Sequence, residues 1–98
     1  MLIQLDHHWD AVKLYGRAIA LWEPLVKQED GGEFASDVGW CAAKRGHTLF
    51  LLGEKSKGLD DLRSARGLFQ TAVERTGQAE AQDRLVRVEE VLAKFLGE

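Results

Sequence analysis

Ala65-Arg66-Gly67-Leu68-Phe69-Gln70-Thr71-Ala72 and Ala11-Val12-Lys13-Leu14-Tyr15-Gly16-Arg17-Ala18 share one spacing, alanine-x3-aromatic-x2-alanine. Steps of four and three return to the same side of a 3.6-residue turn, so each stretch places two small residues and one ring on a single helical face. The alanines admit a close neighbour and the ring fills the remaining gap. A duplicated helical packing unit follows, and such units more often build binding surfaces than active sites.

Working outward, four helices are predicted. The first covers about residues 5–28 and carries two apolar stripes: Leu5, Trp9, Val12, Ile19 and Val26 on one, and Ala11, Tyr15, Ala18, Trp22 and Leu25 on the other. Two stripes imply two neighbours, because a surface helix ordinarily has one apolar face. Pro24 predicts a kink or an early stop. After the breaker Glu29-Asp30-Gly31-Gly32, a second helix over about 33–52 presents Phe34, Val38, Cys41, Ala42, Leu49 and Leu52, with Gly53 as its cap. Glu54 to Gly58 reads as a polar turn. A third helix over about 59–76 turns Leu62, Ala65, Phe69, Ala72 and Val73 inward and ends at Gly77. The fourth, 79–96, has Leu85, Val88, Leu92 and Phe95 as its stripe, with Arg84, Arg87, Glu89, Glu90 and Lys94 outside it. No segment alternates as a strand does, so the chain reads as all-α, one domain of about four antiparallel helices.

Composition narrows the function classes. With 98 residues, 45% hydrophobic and 30% charged, the chain has the profile of a globular helical domain. No apolar run approaches the ~18 residues of a membrane span, and the first residues lack the pattern of a signal peptide. The single Cys41 makes no internal disulfide, which fits a cytoplasmic protein. The net charge of −3 is unevenly spread: residues 41–66 are basic, with Lys44, Arg45, Lys55, Lys57, Arg63 and Arg66 against three acids, and the flanks are acidic. Asp60 and Asp61 within that segment and the negative total speak against nucleic acid and for a mixed solvated face.

The paired spacings resemble the second helices of tetratricopeptide repeats (TPRs), and the helix between them resembles the first helix of such a repeat. Gly46-x2-Leu49 stands where the family has glycine and then usually tyrosine, and Gly53 where the family ends that helix. Pro24 falls one residue after the position of the repeat-closing proline. There are departures. Arg45 replaces a usual leucine, the stretch from Gly53 to Ala65 is longer than the family's turn, and the two spacings lie 54 positions apart against a period of about 34. The resemblance implies a short α-solenoid segment: an unpaired second-type helix over 1–30, a TPR-like hairpin over 33–77 and a capping helix over 78–98. It also implies that one stripe of the first helix stays uncovered unless the fourth helix or another chain covers it.

On that resemblance, the second helix lines the concave side with Trp40, Ala43, Lys44, His47, Phe50 and Leu51. Lys44 and His47, one turn apart, are placed to grip a carboxylate, while Trp40, Phe50 and Leu51 bury apolar side chains of a protein or peptide partner. The plainer alternative makes Phe50 and Leu51 core residues beneath the fourth helix. Leu5, Trp9, Val12 and Trp22 are the expected surface for the missing helix or for self-association into a homodimer. Catalysis has little support, since Cys41 and His47 are six apart on different helix sides, and Ser36, Ser56 and Ser64 lack a nucleophile elbow. Asp6, His7, His8 and Asp10 are the one group with metal-ligand chemistry, but a closed site needs further ligands and none is near in sequence. No cofactor is expected. The function expected is a protein-binding adaptor or scaffold, with a self-associating helical bundle as the alternative.

Overall fold

The computed structural model describes residues 2–26 and 32–96, with side chains for 7–26 and 34–96. Four helices account for nearly all of them: α1 (Leu2–Val26), α2 (Gly32–Leu51), α3 (Lys55–Thr76) and α4 (Ala79–Leu96), and there is no strand among the described residues. Each helix packs against the next in antiparallel order, and α2 also touches α4. The body measures 43 × 32 × 19 Å. Its thinnest dimension is two helix diameters, so the helices lie in two layers.

Glycine sets the α2–α3 crossing. A Cβ on Gly46 would stand 2.6 Å from the Gly58 carbonyl oxygen, and one on Gly58 would stand 2.6 Å from the Gly46 oxygen. Bare backbone therefore meets bare backbone here, and no side chain fits between. Further along the seam Gly39 receives the Phe69 ring. The α3 stripe is Gly58, Leu62, Ala65, Phe69 and Ala72, all buried, at steps of four, three, four and three. The small-x3-large-x2-small spacing thus occurs one step earlier too, in Gly58-x3-Leu62-x2-Ala65. Across from it lie Ala35, Val38, Ala42 and Leu49 of α2, and Val88 and Leu92 of α4 close the main core. A second cluster, Ala35, Ala72 and Ala81, lets the α2, α3 and α4 backbones converge at the opposite end.

The α2–α3 turn differs from the expected one. Lys55 to Gly58 is the first turn of α3 rather than a polar turn. The α2 helix ends on Gly53 at φ 93°, where the Glu54 N–H donates to the Leu49 carbonyl and the Gly53 N–H to that of Phe50. These two bonds form a Schellman cap, which reverses the chain in so few residues that helical bonding resumes with the Gly58 N–H donating to Glu54. Lys55, Ser56 and Lys57 face solvent while Gly58 alone turns inward. Gly77, at φ 65° with its N–H donating to Val73, ends α3 as the sequence predicts. Pro24 does not stop α1, which continues to Val26. Both Pro24 and Ala20 are exposed, so water is able to serve the Ala20 carbonyl that Pro24 leaves without an amide.

Arg45, anomalous as a leucine replacement, is explained by α3. Its Nε and Nη2 donate to the two Asp61 carboxylate oxygens at 2.7 and 2.8 Å, beside the Gly46–Gly58 contact. This bidentate pair ties the two helices together and raises the guanidinium pKa, first through that hydrogen bond. Of the six cations in the basic segment, Arg45 and Arg63 are paired, with Asp61 and Asp60.

Candidate functional site

Because α2 and α4 both run antiparallel to α3, they lie parallel to each other on its same side. They meet at their ends and part between. At one end Arg84 donates to the Ser36 hydroxyl at 2.9 Å and to the Ser36 carbonyl at 3.3 Å, and is also ion-paired with Glu80. At the other end the Phe95 ring stacks on Phe50, with centroids 3.8 Å apart, and on His47 at 5.6 Å. Between these clasps is a groove of about 510 Å³. Its α2 wall is Trp40, Ala43, Lys44 and His47. Its α4 wall is Glu80, Asp83, Arg84, Arg87, Val88 and Val91, and Leu62 and Phe69 of α3 lie beneath.

The groove is electrically polarised. Asp83 and Glu80, the latter paired with Arg84, stand at one end, whereas the cations Lys44 and Arg87 stand with the neutral His47 toward the Phe95 end. Trp40 is 40% exposed, and the Lys44 ammonium sits over its ring, 5.3 Å from the centroid. The exposed ring therefore carries a cation over one of its faces. His47 is held below its ordinary pKa of 6.5 by partial burial first and by Lys44 and Lys94 next, which keeps the imidazole neutral at physiological pH. An arrangement with buried hydrocarbon below, an aromatic ring on one wall and opposite charges at the two ends suits non-covalent recognition.

Of the residues expected to contact a partner, Trp40, Lys44 and His47 line the groove. Phe50 is half-buried and its ring is engaged by Phe95, while Leu51 is 62% exposed and lies outside the groove. The α4 wall carries Glu80, Asp83, Arg84 and Arg87, which the sequence reading did not include. The spacing sets Arg84 and Arg87 outside the α4 stripe, and nothing local in the sequence indicates that this face borders α2.

On the other side of α2, α1 packs through rings: Tyr15 meets Trp40 edge-on at 6.3 Å, and Trp22 meets Phe34 edge-on at 5.6 Å. Cys41 lies in this seam beside Ala18, Trp22, Asp37 and Val38. Burial first and Asp37 next push its thiol pKa up, which disfavours the nucleophilic thiolate. Of the expected self-association surface, Trp9 is 41% and Trp22 39% exposed, Val12 is half-buried, and the Leu5 side chain lies outside the described residues. Asp6 lies outside them likewise, and no three metal-ligating side chains gather among the described residues. Among those residues no helix is long and apolar enough to cross a membrane.

Fold and groove together define an all-α chain of four helices with an open channel between two parallel ones. No protein-family model, curated protein or solved structure matches the chain.

Proposed function

We propose that this chain is a protein-interaction module, a divergent TPR-like adaptor or scaffold segment acting in the cytoplasm, which seats a helix or extended peptide of a partner in the α2–α4 groove. The observation that carries the reading is the wall of Trp40 and Lys44 facing Arg87 above the buried Leu62 and Phe69. Trp40 receives an apolar side chain of the partner, and Lys44 with Arg87 brackets an acidic one. Glu80 and Asp83 favour a basic residue at the other end, which fixes the direction in which the partner lies.

The test is titration of a partner recovered with the chain from its native cell, using wild type, Trp40→Ala, Lys44→Glu and Arg87→Glu. Each variant is expected to weaken binding by about tenfold or more, with helicity unchanged. Undiminished binding by all three rules out the groove as the binding surface.

A further inference from the structure

The side of α1 turned away from α2 carries a line of four exposed residues, Asp10, Leu14, Arg17 and Leu21, at steps of four, three and four. Leu14 is 62% and Leu21 72% exposed, the latter the most exposed large apolar side chain among the described residues. Nothing among the described residues covers them: α1 packs on α2, while α4 lies across α3 with no packing contact to α1.

We infer that a second copy of this chain covers this line, in an antiparallel, twofold-symmetric α1–α1 contact centred near Leu14. The charges select the orientation. A parallel pair sets Asp10 on Asp10 and Arg17 on Arg17. An antiparallel pair with its axis at Leu14 carries Asp10 to the partner's Arg17, and symmetry makes the same ion pair twice. Leu14 then packs on its own copy, and Leu21 reaches the partner's His7. Helices of this length meeting along one line use the geometry of an antiparallel coiled-coil seam, with the leucines supplying burial and the ion pairs fixing the register. The groove stays open, because it lies on the opposite side of α2.

Sedimentation equilibrium over a concentration series tests this directly. The wild-type chain is expected to be a dimer dissociating in roughly the micromolar range. Leu14→Glu, at the axis, should raise the dissociation constant by about 100-fold, and Leu21→Glu, at the margin, by about tenfold, both with unchanged circular dichroism, since both positions face solvent in the single chain. Arg17→Glu should raise it by about tenfold, and adding Asp10→Arg to that variant should restore it. A wild-type chain monomeric up to several hundred micromolar overturns the proposal, as does a dimer indifferent to both leucine variants. Failure of the double charge exchange to restore association overturns the antiparallel register. Arg87→Glu and Lys44→Glu, neither of which touches α1, should leave the dimer intact, so failure here and failure of the groove are separately readable.

Discussion

On its α3 side, α2 meets its neighbour backbone to backbone, at Gly46 and Gly58, with a bidentate Arg45–Asp61 pair alongside. On its α1 side it meets aromatic edges, Tyr15 against Trp40 and Trp22 against Phe34, and no residue of α1 with a described side chain is fully buried. One helix is therefore held by two different kinds of seam. The α3 seam excludes volume so strictly that few arrangements satisfy it. The α1 seam is more open to adjustment, because all of its described α1 side chains remain partly exposed.

Several measurements would break or sharpen that contrast. The largest effect is expected from Phe69→Ala, which empties the place beside Gly39 and costs about 3–5 kcal/mol in denaturant unfolding. Gly58→Ala comes next. Its new methyl meets a carbonyl oxygen rather than a movable side chain, so a net loss of about 2 kcal/mol is expected despite the better helix propensity. Gly67→Ala is the control: a Cβ there meets nothing within 4 Å, and the same change should stabilise by up to about 1 kcal/mol. Equal effects at the two glycines would show that close approach does not govern the α3 seam.

Asp61→Asn should cost about 1 kcal/mol, because the pair it breaks is partly solvated. On the α1 side, Trp22→Ala should leave global unfolding nearly in place yet speed modification of Cys41 by about tenfold, as the seam opens locally. A Cys41 rate unchanged in that variant would mean that α1 is held as firmly as α3.

The smallest effect concerns pH. His47 has a folded pKa below 6.5, so as pH falls beneath that value the unfolded chain takes up the proton first. Stability should therefore decline as pH drops from about 6.5, and His47→Gln should flatten that decline in thermal melts.

The contrast between the seams also governs what the sequence discloses. Leu62, Ala65, Phe69 and Ala72 are legible because a stripe of small and large residues has one dry solution. Gly53 and Gly77 are legible because a left-handed cap favours glycine. Gly58 is not, since Lys55-Ser56-Lys57-Gly58 has the same composition whether it is a turn or an exposed first helical turn. The TPR resemblance groups Trp40, Lys44 and His47 with Phe50 and Leu51 on one exposed face of α2; the first three line a wall of the groove, whereas Leu51 lies outside it. The facing wall could not be read, because Arg84 and Arg87 read as solvent-facing until the parallel course of α2 and α4 is known. Leu14 and Leu21 fall on neither of the two apolar stripes read along α1, so the line they make with Asp10 and Arg17 emerges only from the packing of α1 on α2.

At Gly46 and Gly58 the close backbone approach of α2 and α3 falls on two residues with no apolar side chain. Here the fold depends on what is missing from the side chain, a quantity that no scale of apolar character registers. Variation at these two sites should then be penalised by size alone, from alanine upward and whatever the chemistry, while the rings of the α1 seam exchange among themselves. A library sorted for folded chains would register that difference as two columns graded by size beside a permissive aromatic band.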